Sequence, residues 1–299
     1  PGNVRLALEQ LAEGFAEQGR RPDPPRAAFD MDRVTRAQGV DGVPQWRVVG
    51  ASVRGSGHEQ SGAECQDAHA VDVTLGMMVV AVADGAGSAR YAALGSAAAA
   101  SAALDSVRAE RALGLPQTES AWRDCLARVL DGARERLVQE AREHGAELRE
   151  FATTLLVAVV TPELLVAAQV GDGAIVEFDD TTPPTALTRP ERGEHVNETT
   201  FLTSEGAVEQ AQYAFRAGAP RTLALFTDGL QRLALQMPHG TPHPPFFATL
   251  IDFMQGAVEV EPAEEELRRF LMSARVRERT DDDITLVLAH PCRTSRERA

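Results

Sequence analysis

Apolar and polar positions along this chain follow two different periods. Met77–Ala83 reads MMVVAVA, an unbroken apolar run. That length suits a buried strand and is short for a helix. Similar short runs recur: WRVVGASVRG and AHAVDVTL before it, then TTLLVAVV, LLVAAQVG, AIVEFDD, QYAFRA, RTLALF and ITLVLAH. Turn-forming residues separate them, so they predict short antiparallel strands. Between the third and fourth runs the period changes. Ser88 to about Ala112 is Ala-rich with a small-residue face, suited to close packing on a sheet. Ser120 to about Gly145 places Trp122, Leu126, Val129, Leu130 and Leu137 on one helical face, and Gly114 and Pro116 break the chain between the two. Two more helical segments are expected near 246–256 and 262–277, ahead of the last strand.

This order of elements predicts an α+β fold. Two antiparallel sheets packed face to face, each covered by a helix pair, bury every apolar face. The main domain is expected over 46–292. Ahead of it, Val4, Leu8, Leu11 and Phe15 form one helical face, and RRPDPPR and GVDGVP mark a linker. Residues 1–45 therefore read as an N-terminal helix and linker that packs on the domain or docks a partner, and 293–299 as a C-terminal tail. GSGHEQSGAECQD and PHGTPHPP read as loops. The polar, irregular stretch 181–211 is long for a loop inside a domain, which favours a functional role.

Composition narrows the classes. The chain has 299 residues, 43% of them hydrophobic, enough for one large domain or two small ones. It carries 44 acidic and 30 basic residues, net −14, and all the basic ones are Arg. That balance argues against nucleic acid as a partner. The three cysteines, Cys65, Cys125 and Cys292, are too far apart for a disulfide framework or a Cys-rich zinc site. A reducing cytoplasm is expected. No apolar run approaches the roughly 20 residues that span a bilayer. The first residues lack a signal-peptide layout, and Pro1 suggests a trimmed or processed start.

Acidic residues gather at the ends of the strands. Asp67 precedes AHAVDV, Asp84 follows MMVVAVA, Asp228 follows TLALFT, Asp282 precedes ITLVLA, and Asp172 sits in the VGDG turn. A single Asp-Gly is more often a turn than a ligand, and an Asp run is most often solvated. Repetition beside strong apolar strands favours a shared metal site. Hard ions such as Mg²⁺ or Mn²⁺ take oxygen ligands of this kind, and a shared carboxylate can hold two ions with an activated water between them.

CQDAH, VVAVADGAGSA, TTLLVAVV, QVGDGAIV, LALFTDGL and DDDITLVL occur in the order found in the PP2C-like (PPM) family of metal-dependent protein phosphatases. The chain resembles a bacterial branch of that family over about residues 46–290. The resemblance implies a four-layer sandwich, two Mg²⁺ or Mn²⁺ ions, and hydrolysis of phosphoserine and phosphothreonine by a metal-bridging hydroxide. It implies that Asp84 bridges both ions and the Gly85 carbonyl binds one. Asp228 and Asp282 would ligate the other, Asp67 would support the cluster, and Asp172 would serve a third, weaker ion. Thr153 and Thr154 would shape the backbone beneath. A phosphoprotein is the implied substrate and a Ser/Thr protein kinase the implied counterpart.

The chain departs from the family pattern at several positions. Gln66 stands where many members have Glu, and Ala86 where eukaryotic members have a His. Gly62 stands where many have a phosphate-holding Arg, so Arg54 or His58 becomes the candidate for that role. Residues 189–211 read as a lid. These departures also motivate an alternative, a pseudophosphatase that binds phosphoproteins without turnover.

Overall fold

A computed structural model describes residues 45–74, 76–190, 199–218, 221–257 and 259–292. The N-terminal helix and linker expected over 1–45 lie outside the described residues, Gln45 excepted, as do the tail 293–299 and residues 191–198 of the expected lid.

In chain order the elements are β1 (Gln45–Val53), α1 (Ser56–Ser61), β2 (Asp67–Thr74), β3 (Met77–Asp84), α2 (Ala92–Leu113), α3 (Glu119–His144), β4 (Leu155–Val160), β5 (Leu164–Val170), β6 (Ala174–Phe178) and β7 (Thr185–Thr188). Then come α4 (Ala207–Gln210), β8 (Gln212–Ala217), β9 (Thr222–Phe226), α5 (Gln231–Ala234), β10 (Leu235–Gln236), β11 (Thr241–Pro242), α6 (Pro244–Gly256), α7 (Val260–Leu271), α8 (Ala274–Arg277) and β12 (Ile284–Cys292). One five-stranded antiparallel sheet has the order β1-β12-β9-β6-β7, the other β2-β3-β4-β5-β8.

The pleat explains the layers. In β3, Met77, Val79, Ala81 and Ala83 face α2 and α3 and pack with Ala99, Ala103, Leu126 and Leu130. Met78, Val80 and Val82 point the other way, against Ile175, Leu223, Leu225 and Val287 of the second sheet. The outer face of that sheet, with Ala51, Val176, Phe226 and Leu286, is covered by Phe246, Leu250 and Leu267 of α6 and α7. A strand buried on both faces needs a continuous apolar run, which is what MMVVAVA provides. The result is the expected four-layer sandwich of helices, sheet, sheet and helices.

Several local expectations shift. The first long helix starts at Ala92, because the residues after Asp84 form a turn. The GSGHEQS loop contains α1, and the 181–211 stretch contains β7 and α4. Within PHGTPHPP, β11 pairs with β10, and Pro244 opens α6 at a position where its missing N–H costs nothing. The expected helix over 262–277 divides into α7 and α8.

Candidate metal centre

One end of the two sheets collects the acidic strand ends. Asp67 opens β2 and Asp84 closes β3, and the two are register partners on the last rung of that ladder. β9 delivers Asp228 two residues past its end, and the tight β5–β6 turn delivers Asp172. Carboxylate oxygens of Asp84, Asp172 and Asp228 lie within 4.8 Å of one another.

The backbone below is fixed by threonines. The Asp84 amide donates to Thr154 Oγ1 (3.0 Å), and the Asp84 carbonyl accepts from Thr153 Oγ1 (2.9 Å) and from the Thr154 amide (2.8 Å). Thr227 Oγ1 donates to Asp67 Oδ2 (2.8 Å) while accepting from the Thr285 amide (2.9 Å), which links the two sheets at the site. Gly85 sits so close to α2 that a Cβ would lie 2.5 Å from the Ala92 carbonyl oxygen. Gly229 is under the same constraint, with a Cβ 2.1 Å from the Asp283 carbonyl oxygen. Each Asp-Gly pair thus puts a carboxylate where only a glycine can follow it.

Among the described residues no Arg or His side chain pairs with Asp67, Asp84, Asp172 or Asp228. Burial, opposed by hydrogen bonds from Thr227 and Thr285, pushes the Asp67 carboxyl up to about 8. Burial and then the neighbouring Asp172 and Asp282 push Asp228 up to about 7. Asp84 is raised well above the carboxylate range, first by burial and then by Asp67, Asp228, Asp282 and Asp172. Asp67 Oδ1, Asp228 Oδ1 and Gln66 Oε1 are buried acceptors with no hydrogen-bond partner among the described residues. A buried acceptor left in this state is costly. Those of Asp67 and Asp228, gathered at Asp84 with Asp172, make an all-oxygen donor set for a hard divalent cation, and the residues present fit one.

The remaining expected residues are placed differently. Asp282 lies at the exposed rim, outside the compact trio, and its Oδ1 accepts from the Asp283 amide (2.9 Å). Arg54 is exposed and donates from Nη1 to the Ala63 carbonyl (3.1 Å). His58 Nδ1 lies 2.9 Å from Asp283 Oδ2. The Gln66 amide oxygen reaches toward Gly87 of the Asp84 loop.

Two residues were not singled out by the sequence. Asp283 is buried and accepts from the Gly55 amide (2.6 Å) and the Gln66 amide (2.5 Å), stitching the β1–β2 loop to the start of β12. Its only sequence signal is its place in the Asp281-Asp282-Asp283 run. Gln169 is fully buried, and its Nε2 donates to the carbonyls of Gly171 (2.9 Å) and Gly173 (2.8 Å), on either side of Asp172. A lone Gln in the apolar run LLVAAQV was a legible signal. The described part of the expected lid meets the site directly, because Thr199 Oγ1 donates to Asp172 Oδ2 (2.7 Å) and Leu202 is buried.

Known proteins carry the same arrangement of elements. Serine/threonine-protein phosphatase 3 of Escherichia coli (strain K12) is 35% identical over 252 residues, covering 82% of this chain and 98% of that protein. The crystal structure of a bacterial serine phosphatase superposes with a TM-score of 0.59 at 14% identity, covering 84% of this chain and 100% of that one. Stp1 from Staphylococcus aureus does so with a TM-score of 0.56 at 14% identity, covering 86% and 99%. At such identities the two structures speak for the fold alone. The sequence profile described as Protein phosphatase 2C matches residues 54–272, a span that holds Asp67, Asp84, Asp172 and Asp228. The chain belongs to the protein phosphatase 2C family.

Proposed function

We propose that this protein removes phosphate from phosphoserine and phosphothreonine of protein substrates at the end of the sheets where Asp67, Asp84, Asp172 and Asp228 meet, using Mg²⁺ or Mn²⁺. Family membership and the 35% identical relative make it a protein serine/threonine phosphatase, a phosphoric monoester hydrolase. The observation that carries the proposal is the pair of buried, unpartnered oxygens on Asp67 and Asp228 beside Asp84.

In this reading Asp84, the Gly85 carbonyl, Asp228 and Asp282 would hold two ions, Asp67 would support the cluster directly or through water, and Asp172 would serve a third, weaker ion. Bound there, the ions would supply positive charge for the phosphoryl oxygens and acidify an attacking water. The protein's own part is positional. Thr153 and Thr154 fix the backbone of Asp84, Thr227 orients Asp67, and Gln169 fixes the turn of Asp172. Ala86 leaves the Asp84 loop without a proton donor.

Arg54 and His58 are proposed for the phosphate, as the nitrogen-bearing donor side chains of the β1–β2 loop. Their contacts with Ala63 and Asp283 favour a second reading, in which they order that loop. A rise in KM for p-nitrophenyl phosphate in the Ala variants supports the first, and a fall in Tm alone the second.

A protein kinase that places the phosphate is the proposed counterpart. Among the described residues no helix is long and apolar enough to cross a membrane. The cysteines are free, and we place the reaction in the cytoplasm. The family and the retained Asp84, Asp228 and Asp282 favour turnover over a binding-only pseudophosphatase. Mn²⁺-dependent hydrolysis of p-nitrophenyl phosphate and a phosphothreonine peptide, lost in Asp84→Ala and Asp228→Ala, tests the assignment. Full activity in both variants would refute it.

A further inference from the structure

Beside the carboxylates, a cleft of about 470 Å³ opens between the loop after Asp84, the turn at Leu148–Phe151 and the turn at residues 201–204. Its walls carry Ser88, Arg90, Arg149, Phe201, Thr203 and Ser204. Backbone hydrogen bonds tie these walls to the metal centre. The Ala86 amide donates to the Ala152 carbonyl (2.9 Å), and Tyr91 to Glu150 (2.8 Å). The Leu202 amide donates to the Thr153 carbonyl (2.8 Å), and Thr153 holds Asp84.

The cationic groups are available to a ligand. The Arg90 guanidinium lies 5.1 Å from the Tyr91 ring centroid, and that ring stacks on Phe151 at 4.8 Å. This platform orders Arg90 without neutralising it. Among the described residues Arg90 has no ion pair. Arg149 pairs with Glu147 at 2.9 Å, but both side chains are largely exposed, and such a pair yields readily to a better-placed anion. Glu150 also borders the cleft, yet its carboxylate accepts from the Glu147 amide (3.1 Å) and caps the turn. In a chain of net charge −14, beside a cluster of carboxylates, Arg90 gives this recess a cationic group that no described carboxylate pairs with.

We propose that Arg90, seconded by Arg149, recognises a carboxylate side chain flanking the phosphorylated residue of the substrate, with Phe201 covering the peptide that carries it. The protein would then prefer acidic phosphopeptides. This rests on the phosphatase reading above.

The test compares wild type, Arg90→Ala and Arg90→Glu on phosphothreonine peptides flanked by Glu, Ala or Arg, with p-nitrophenyl phosphate as reference and Mn²⁺ present. Wild type is expected to favour the Glu-flanked peptide. Arg90→Ala should lower that preference in kcat/KM by about tenfold, mostly through KM. Arg90→Glu should shift preference to the Arg-flanked peptide, a gain that misfolding cannot produce. Equal use of all three peptides by wild type would overturn the inference alone. So would an equal loss on p-nitrophenyl phosphate, which would place Arg90 on the reacting phosphate. No hydrolysis of any substrate by wild type would overturn the phosphatase reading and this inference with it.

Discussion

Asp67 and Asp84 face each other as register partners on the last rung of the β2–β3 ladder. Antiparallel partners are the closest neighbours a sheet offers, and two like charges there destabilise it. In the proposed reading, a cation held beside them offsets that repulsion.

That tension sets a pH dependence. Folding raises the Asp67 and Asp228 carboxyls from 3.8 to about 8 and about 7, with burial the first cause in both. Groups raised in this way bind protons more tightly when folded. Their contribution to metal-free stability is full below about 3.8 and is lost as pH rises through about 7 to 8. Burial lowers the pKa of His69, which acts in the opposite direction. The contrast between Mn²⁺ and chelator therefore isolates the carboxylates. Calorimetry should show the Mn²⁺-induced rise in Tm growing from pH 5 to pH 8, the range chosen to span these values. A rise that shrinks over this range would contradict the electrostatics.

Gln169→Leu keeps the volume of a buried side chain but removes the donor to Gly171 and Gly173. Each buried carbonyl left unpaired costs about 1–3 kcal/mol. Urea unfolding should show a loss of at least that size, since more than one carbonyl is left, and titration should show weaker Mn²⁺ binding because the Asp172 turn loosens. Loss of stability with unchanged metal affinity would make the contact purely structural.

Asp283→Asn separates a loop fastener from a ligand. The carboxylate accepts from Gly55 and Gln66, and an amide there must turn its NH₂ toward one of them. A charge-assisted bond of this kind is worth about 1.5–3 kcal/mol, so the urea midpoint should fall clearly. The rate with p-nitrophenyl phosphate should fall far less than in Asp84→Asn. A fully stable but inactive Asp283→Asn would make Asp283, rather than Asp282, the proposed ligand.

The sheets were legible because two-sided burial leaves its mark on sequence. MMVVAVA and TTLLVAVV can be little else, and the helices that cover them repeat at a different period. Asp84 and Asp228 were legible because each ends an apolar strand and precedes a glycine. β7 was hidden because TALT pairs only at the sheet edge, beside a bulge, where half-burial suffices. Asp283 was hidden because nothing in a run of three identical residues tells which one turns to the Gly55 and Gln66 amides. The Arg90–Arg149 cleft was hidden because its two sides are joined by tertiary contacts alone.

In the proposed site Asp84 holds divalent metal for phosphoester hydrolysis. Calorimetric titration of chelator-treated wild type and Asp84→Asn with Mn²⁺, with p-nitrophenyl phosphate turnover measured on the same samples, tests it most directly. Wild type should bind more than one ion and turn over only with metal. Asp84→Asn should show fewer or weaker sites and turnover lower by at least about a hundredfold, at an unchanged fold by circular dichroism. Mn²⁺ binding and turnover at wild-type levels in Asp84→Asn would contradict that role of Asp84.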